Sequence, residues 1–204
     1  MNDIHPSRRR RERGSRERIL AAATDLFTTQ GINATGMEQL STVAEVSKRT
    51  LYTHFRSKDE LVLAYLQALQ RDALPVSGAP DEPLLDPREQ LLSIFDAMPR
   101  DTTVPIRGCQ FLNASVEVPD PEHSAHQFAA AYKREFARRL ANIARQAGIS
   151  DAETLGEQLA LLYDGVAARG TALNSSDTSA CARSIAEVLV DAALAGARPE
   201  SSRT

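Results

Sequence analysis

The feature that most constrains the fold is a repeated local pattern: a capping residue followed by apolar residues at helical spacing. In the first such segment, apolar residues one, three or four positions apart form a stripe along one side of a helix: Ile19, Ala22, Ala23, Leu26 and Phe27. Similar segments recur along the chain, and none shows the alternation typical of a strand. The sequence therefore predicts an all-α protein with about nine helices.

Helix starts are predicted by side chains that can accept a hydrogen bond from the first helical turn. Ser15 and Ser47 precede two early helices and are predicted caps. Pairs of residues three positions apart predict capping boxes at Thr35 with Glu38, Ser57 with Glu60, and Ser150 with Glu153. Further helix starts are predicted at Asp86, Asp120 and Asp177.

Charge and proline content divide the chain into regions. Residues 1–14 are polar and rich in arginine, which predicts a disordered basic arm. Residues 15–60 are predicted to form a helical domain, and a proline-rich connector interrupts residues 61–204 soon after that domain. The first 60 residues carry 11 Lys and Arg against 8 Asp and Glu, whereas the rest carries 13 against 19. An anionic partner is therefore expected at the N-terminal end.

A short turn at Glu45-Val46 joins the second and third predicted helices, which indicates a helix-turn-helix. Leu51 and Phe55 would anchor the third helix, so that its other side presents hydrogen-bonding groups suited to the major groove of DNA. That side consists of Lys48, Arg49, Thr50, Tyr52, Thr53 and His54. The alternative is that this side is an ordinary solvated helix face. Helix-turn-helix geometry also occurs in proteins that never contact DNA.

Residues 16–61 resemble the DNA-binding domain of the TetR family of bacterial regulators. The matching positions are Ile19, Ala22, Leu26, Phe27, Gly31, Ala34, Thr35, Val46, Ser47, Leu51, Tyr52, His54, Phe55, Lys58 and Leu61. One departure is Glu45, which stands in the turn where the family often has glycine. The segment LALLYDGVAARG also looks like the eighth helix of the family, which forms dimers.

The resemblance implies roles for eight residues of this region. Contacts with base edges fall to Lys48, Arg49 and Thr50, and contacts with the phosphate backbone fall to Thr35, Ser47, Tyr52, His54 and Lys58. Helix starts independently favour phosphates, because their free backbone N–H groups and the helix dipole attract anions.

The last two predicted helices are rich in small and aliphatic residues and carry few charges, which predicts a two-fold, four-helix dimer interface. Its expected residues are Leu155, Leu159, Leu162, Val166, Ile185, Leu189, Ala192 and Ala193. A small-molecule pocket is expected in the same C-terminal domain, lined by Phe95, Met98, Cys109, Asn113, Val116, Phe128, Tyr132 and Tyr163. The alternative is that these residues form an ordinary packed core.

Cys109 follows Arg107 closely, a placement that would suit a redox or electrophile sensor, although a small buried hydrophobe is the simpler interpretation. His123 and His126 have a spacing that would suit a metal, but no third ligand is evident, so we expect a surface helix start and no metal or cofactor. No motif of nucleophilic, acid–base or phosphate-binding chemistry is recognisable, so an enzyme is not expected.

No run of about 18 apolar residues is present, so no membrane partner is expected. The two cysteines form no disulfide framework, which favours a cytoplasmic protein. Together these features predict a homodimeric transcriptional regulator that binds an operator in double-stranded DNA, a repressor released by a small-molecule effector. The alternative is a small-molecule binding protein with a vestigial helix-turn-helix.

Overall fold

The computed structural model describes residues 6–72, 85–96, 107–175 and 178–196. These residues form nine α-helices and no strand, which confirms the all-α prediction. The helices are α1 (Pro6–Thr29), α2 (Met37–Val43), α3 (Lys48–His54), α4 (Lys58–Asp72), α5 (Pro87–Asp96), α6 (Gln110–Glu117), α7 (Ser124–Gln146), α8 (Ala152–Leu173) and α9 (Thr178–Gly196).

Helix α1 begins earlier than the sequence predicted, because it includes most of the expected disordered arm. It starts at Pro6, and proline is favoured in the first helical turn, where its fixed φ suits the helix and its missing N–H costs nothing. The arginines and glutamate that follow are good helix formers. Ser15 therefore lies within α1 and is buried, so the prediction that it caps the start of the helix was wrong.

Helices α2 and α3 are joined by the predicted short turn. The N–H of Glu45 donates to the carbonyl of Thr42 at 3.1 Å, and the N–H of Val46 donates to the carbonyl of Ser41 at 3.0 Å. Glu45 has a φ of 51°, in the left-handed region that usually favours glycine. The turn thus keeps its geometry without glycine, at the expense of backbone strain at Glu45.

Of the other predicted N-terminal caps, some are present in the structure and some are not. The hydroxyls of Ser47 and Ser57 accept N–H groups of the first turn, at 3.0 and 3.1 Å, and the Asp86 carboxylate accepts two such groups at 2.9 and 3.2 Å. The predicted boxes at Thr35 and Ser150 are absent, because α2 and α8 begin after Gly36 and Asp151 with no side-chain cap.

Two further predicted starts have other outcomes. Asp120 caps a turn rather than α7, since its carboxylate accepts the N–H of Glu122 at 2.9 Å. Helix α7 starts at Ser124 instead, and the imidazole of His123 accepts the N–H of Ala125 at 3.1 Å. Asp177 lies outside the described residues.

The chain forms two compact units whose boundary differs from the predicted division at residues 60 and 61. Unit 1 consists of Met1–Asp72 with Asn113–Ala129, and unit 2 consists of Ala73–Leu112 with Ala130–Thr204. Helix α4 belongs to unit 1 because its buried face packs on α1. The ring of Tyr65 lies edge-on to Phe27 with 5.4 Å between centroids, and its hydroxyl lies 3.2 Å from that of Thr28.

The later segment of unit 1 is held by hydrogen bonds across 84 residues of sequence. The backbone N–H of Asn33 donates to the Glu117 carboxylate at 2.7 Å, and the Asn33 side-chain amide donates to the Glu117 carbonyl at 3.0 Å. Nearby, Nε2 of His123 lies 3.4 Å from a carboxylate oxygen of Asp59. The end of α6 and the start of α7 are therefore part of the N-terminal unit.

Unit 2 is built around long helices with small side chains at their contacts. Helix α9 packs on both α5 and α8, and the shared core contains Leu91, Phe95, Leu140, Leu155, Leu159, Ala186 and Val190. Helices α7 and α8 approach closely at Gly156. A Cβ on this glycine would lie 2.7 Å from the carbonyl oxygen of Ala137 and 2.8 Å from the backbone nitrogen of Ala141.

Candidate nucleic-acid interface

Helix α3 is capped and anchored before it presents any polar group to solvent. The Ser47 hydroxyl accepts the N–H of Thr50 at 3.0 Å, and the two hydroxyls lie 2.8 Å apart. Leu51 and Phe55 are fully buried, and the guanidinium of Arg16 lies over the Phe55 ring at 5.0 Å from its centroid. These contacts fix both the start and the inner face of the helix.

The outer face of α3 carries the donors that the sequence predicted. Lys48, Arg49, Tyr52 and Thr53 are exposed, and Thr50 is half-buried. The Thr53 hydroxyl donates to the carbonyl of Arg49 at 2.7 Å, within the same helix. The arrangement places two cations and a phenol on one side of a short, anchored helix, which is a geometry that enters a major groove.

A salt bridge that the sequence did not predict crosses the helix-turn-helix. The ammonium of Lys48 on α3 lies 2.9 Å from a carboxylate oxygen of Glu38 on α2, and both side chains are exposed. The hydrogen bond to Lys48, together with its charge, lowers the pKa of Glu38, and the same bond raises the pKa of Lys48. Lys48 therefore has a carboxylate partner in the free protein.

His54 and Lys58, two residues predicted to contact the phosphate backbone of DNA, are partly buried. His54 is half-buried, and its Nε2 is a buried side-chain nitrogen without a hydrogen-bond partner among the described residues. Lys58 is half-buried at the start of α4, where burial lowers its pKa while the charges of Glu117 and Asp59 oppose that shift. Glu117 is thus close to a residue that was predicted to bind phosphate.

Thr35 does not occupy the position that its predicted role requires. Its side chain is buried, and its hydroxyl donates to the carbonyl of Gly31 at 2.8 Å. Because the hydroxyl turns back toward the end of α1 instead of capping α2, it is not available to a phosphate. The sequence pattern Thr-x-x-Glu was compatible with both arrangements, and the packing of α1 favours the inward one.

Similarity to known proteins was found along most of the chain. The family model described as bacterial regulatory proteins of the tetR family matches residues 19–65. A crystal structure of a tetR-type transcriptional regulator from Streptomyces avermitilis is 32% identical, with a TM-score of 0.77, and the match covers 88% of this chain and 97% of that one. The chain belongs to the TetR family.

As a TetR-family member, the protein is a DNA-binding transcriptional regulator. TcmR of Streptomyces glaucescens, an HTH-type transcriptional regulator, is 36% identical over 80 residues, which cover 38% of this chain and 35% of TcmR. FasR of Mycolicibacterium smegmatis, an HTH-type transcriptional activator, is 48% identical over 52 residues, which cover 26% of this chain and 24% of FasR. The chain thus spans about a third or less of these curated relatives, and the matches are short.

The residues of this TetR-family protein that were predicted to line a ligand pocket fall into both units. Phe95, Cys109, Tyr132 and Tyr163 belong to unit 2, whereas Asn113, Val116 and Phe128 belong to unit 1. Val116 is 72% exposed, a position that does not suit the lining of an enclosed pocket. Met98 lies outside the described residues.

The aromatic members of unit 2 contact one another directly. Tyr163 lies between Phe95 and Phe136, at 6.3 and 5.0 Å between ring centroids, and Tyr132 stacks on Phe111 at 3.6 Å. Burial is the main reason why the pKa values of Tyr132 and Tyr163 are raised. Unit 2 therefore holds two partly buried phenols, each packed against other aromatic rings.

Several residues expected at a dimer surface instead face the core of unit 2. Leu155, Leu159 and Val166 are buried in that core, and Leu162, Leu189 and Ala193 pack against it. These residues of α8 and α9 share the inner side of their helices. Burial within the chain does not favour their place at a dimer interface, which stays a prediction, because apolar spacing alone does not tell whether a side packs within the chain or against a second subunit.

The outer side of the same two helices carries large apolar side chains. Leu161 on α8 is 71% exposed, and Val188 on α9 is 68% exposed. Ile185 is also exposed, as is Ala192, so these two predicted interface residues do lie on an open surface. Large apolar side chains are thus exposed on both helices, and only two of the eight predicted interface residues are exposed with them.

Among the described residues no group of His, Cys, Asp or Glu could hold a metal ion, and no described helix is long and apolar enough to cross a membrane. Nδ1 of His126 lies 2.8 Å from the carbonyl oxygen of Val118.

Sequence reasoning missed the salt bridge of Glu38 with Lys48 and the hydrogen bonds of Glu117 with Asn33. Each contact joins different segments of the chain, and no spacing rule links its two residues.

Proposed function

We propose that this TetR-family regulator is a homodimeric repressor that a small molecule releases from a palindromic operator. The observation that carries the proposal is the exposed apolar stripe of α9, formed by Ile185, Val188 and Ala192 at helical spacing, together with the exposed Leu161 on α8. Exposed apolar clusters of this kind mark association surfaces. A two-fold dimer would place two α3 helices on successive half-sites, about 34–36 Å apart on DNA.

Dimerisation is tested with Val188→Arg, which places a charge on the outer face of α9. Leu189 is less suitable, because it packs against the core of unit 2 and a charge there would disturb folding. We expect Val188→Arg to sediment as a monomer and to lose tight operator binding. Gln146→Arg, at an exposed polar position of α7, is the matched control and should stay dimeric. A Val188→Arg dimer would contradict the proposed interface.

For DNA recognition, we propose that Arg49 and Lys48 face base edges and that Tyr52, His54 and Lys58 hold the phosphate backbone. Arg49 is exposed on the outer side of α3, a position that supports a base contact. Selection of bound fragments from genomic DNA would define the operator. Arg49→Ala should then relax the preference at one or two base pairs and cost about 1–3 kcal/mol of binding free energy.

Two controls separate base contacts from general electrostatic effects. Arg138→Ala removes the same charge from an exposed position on α7 and should leave operator affinity unchanged. Lys58→Ala should weaken binding to all sequences alike and lower the slope of log affinity against log salt by about one. Equal losses on operator and random DNA for Arg49→Ala would overturn its role in base recognition.

For the effector, the aromatic residues of unit 2 support a planar, hydrogen-bonding molecule as ligand. Tyr132 and Tyr163 supply phenol groups beside the rings of Phe111, Phe136 and Phe95. A thermal-shift screen of aromatic metabolites, followed by operator titration with each hit, tests this step. If the effector releases the repressor, a compound that stabilises the protein should weaken operator binding by at least about tenfold. This loss corresponds to a coupling free energy of about 1.4 kcal/mol between effector and operator binding. A compound that stabilises the protein and strengthens operator binding would indicate a co-repressor instead.

The proposed site of action is the cytoplasm, where operators are found. Both cysteines are free thiols, and Cys181 is exposed. Free thiols persist in a reducing compartment. A fractionation experiment on the producing cells, with the protein followed by antibody, would test this placement, and recovery from an oxidising compartment would contradict it.

A further inference from the structure

An exposed ion pair joins the two helices of the helix-turn-helix. The ammonium of Lys48, the first residue of α3, lies 2.9 Å from a carboxylate oxygen of Glu38 in the first turn of α2. The side chains of Lys48 and Glu38 are 60% and 79% exposed. Lys48 has a proposed contact with base edges, whereas Glu38 has no role in the proposed function.

The carboxylate of Glu38 opposes sequence-independent attraction to DNA. Phosphates repel an anion beside a recognition helix, and an ammonium that is paired with this anion attracts phosphates less. The ion pair also adds little to the stability of the fold, since pairs between exposed side chains generally contribute little. A carboxylate at this position therefore suits discrimination between bases better than general affinity or stability.

Both members of the pair keep their charge in the free protein. The hydrogen bond with Lys48, followed by the charge of Lys48, lowers the pKa of Glu38, and the same interactions raise the pKa of Lys48. An ammonium has several donors and a carboxylate accepts several hydrogen bonds. Each group therefore retains hydrogen-bonding capacity after the ion pair has formed.

The ion pair matches the major-groove edge of a single G·C base pair. Guanine presents the O6 acceptor there, beside the N4 amino donor of cytosine. Because O6 and N4 are hydrogen-bonded to each other, they lie about 2.9 Å apart, and the two atoms of the ion pair are also 2.9 Å apart. An A·T pair in the same orientation presents a donor on adenine and an acceptor on thymine, so it opposes both contacts.

We infer that Glu38 is a specificity-determining residue, which together with Lys48 reads one G·C base pair in each half-site of the operator. Lys48 donates to O6 of guanine, and Glu38 accepts from N4 of cytosine. Since Glu38 also repels phosphate, it increases the ratio of operator affinity to random-DNA affinity. The inference rests on the proposed DNA contacts of α3 and adds a residue of α2 to them.

The first measurement tests the ion pair without DNA. NMR titration of the full chain follows the Glu38 carboxyl group in the wild type and in Lys48→Met, which removes the ammonium and keeps a long side chain. We expect the pKa of Glu38 to rise in Lys48→Met, toward the ordinary value of a glutamate. An unchanged pKa of Glu38 would overturn the inference and would leave the proposed operator binding unaffected.

The second measurement tests the reading of a base pair. The operator is defined by fragment selection with the wild type, and each of its G·C pairs is then replaced by A·T in turn. At one position of each half-site the wild type should prefer G·C by about tenfold, and Glu38→Gln should lose most of this preference, because an amide both donates and accepts. Glu38→Gln should also bind random DNA more tightly and with a steeper dependence on salt.

Glu122→Gln is the matched control, because it removes the same charge from an exposed position outside the helix-turn-helix. It should leave both the base preference and the binding of random DNA unchanged. The inference is overturned if no G·C position loses its preference in Glu38→Gln, or if operator and random DNA gain affinity by the same factor. If Arg49→Ala relaxes a base preference and Glu38→Gln does not, only the inference fails. A wild type that binds no DNA would contradict the proposed function itself.

Discussion

The two units of the molecule differ in what determines their helices. In unit 1, α2 and α3 have only seven residues each, and their ends depend on specific local groups such as the Ser47 cap and the left-handed Glu45. In unit 2, α8 and α9 have 22 and 19 residues, and both contain many alanine and aliphatic side chains. Short helices are defined by local chemistry, whereas long apolar helices take their orientation from tertiary packing.

The largest expected effect concerns which side of α8 is internal. Leu159 is fully buried in the core of unit 2, whereas Leu161, two residues later, is exposed. We expect Leu159→Ala to lower the free energy of unfolding by about 2–5 kcal/mol at every protein concentration, as a cavity in a packed core does. Leu161→Ala should cost less, and only in a concentration-dependent manner, because the contacts proposed for Leu161 are with a second subunit.

Chemical denaturation at several protein concentrations distinguishes the two variants. If Leu159→Ala were the concentration-dependent variant, Leu159 would be an interface residue, as the sequence had indicated. The difference between the units would then disappear, because local apolar spacing would have predicted the correct face of α8 without tertiary packing.

The sequence predicted the fold class and most of unit 1 because those features depend on neighbours in the chain. The cap at Ser47, the turn at Glu45 and the buried anchors Leu51 and Phe55 all follow from local spacing. The contact of Glu117 with Asn33 joins residues 84 apart, and no local pattern contains that information. The inner side of α8 was likewise undetermined, since it depends on where α7 and α9 lie.

Glycine substitutions test how tightly helices pack in each unit. Gly156 lies where α7 and α8 approach, and an added Cβ would overlap the α7 backbone. We expect Gly156→Ala to destabilise the protein by about 1–3 kcal/mol through overpacking. Gly14→Ala on α1 meets nothing within 4 Å and should stabilise by up to about 1 kcal/mol, because alanine favours a helix interior. A neutral Gly156→Ala would show that α7 can move away freely.

The next smaller effect concerns the helix caps. Ser47→Ala removes the hydrogen bond to the N–H of Thr50, and we expect a loss of about 1 kcal/mol in the free energy of unfolding. Asp151 occupies the same position before α8 but makes no side-chain cap bond, so Asp151→Ala should cost less than about 0.5 kcal/mol. Urea titration of both variants measures the difference. A larger loss at Asp151 would mean that unit 2 also depends on local caps.

The smallest expected effect is a gain in stability at the left-handed turn of unit 1. Glu45 has a φ of 51°, a conformation that costs an ordinary residue about 1–2 kcal/mol and costs glycine little. Glycine also loses about 0.5–1 kcal/mol of chain entropy on folding, so Glu45→Gly should stabilise by about 0.5–1 kcal/mol.

Two matched variants separate the effect of backbone strain at residue 45 from the effect of its charge and from the effect of a left-handed residue in unit 2. Glu45→Gln removes the same charge but keeps the Cβ, so it should give no gain if strain is the cause. Asn174 ends α8 with a φ of 46°, and asparagine tolerates this conformation, so Asn174→Gly should change stability little. Equal gains for Glu45→Gly and Glu45→Gln would assign the effect to charge. Equal gains at residues 45 and 174 would mean that left-handed strain is shared by both units, and local chemistry would no longer distinguish unit 1.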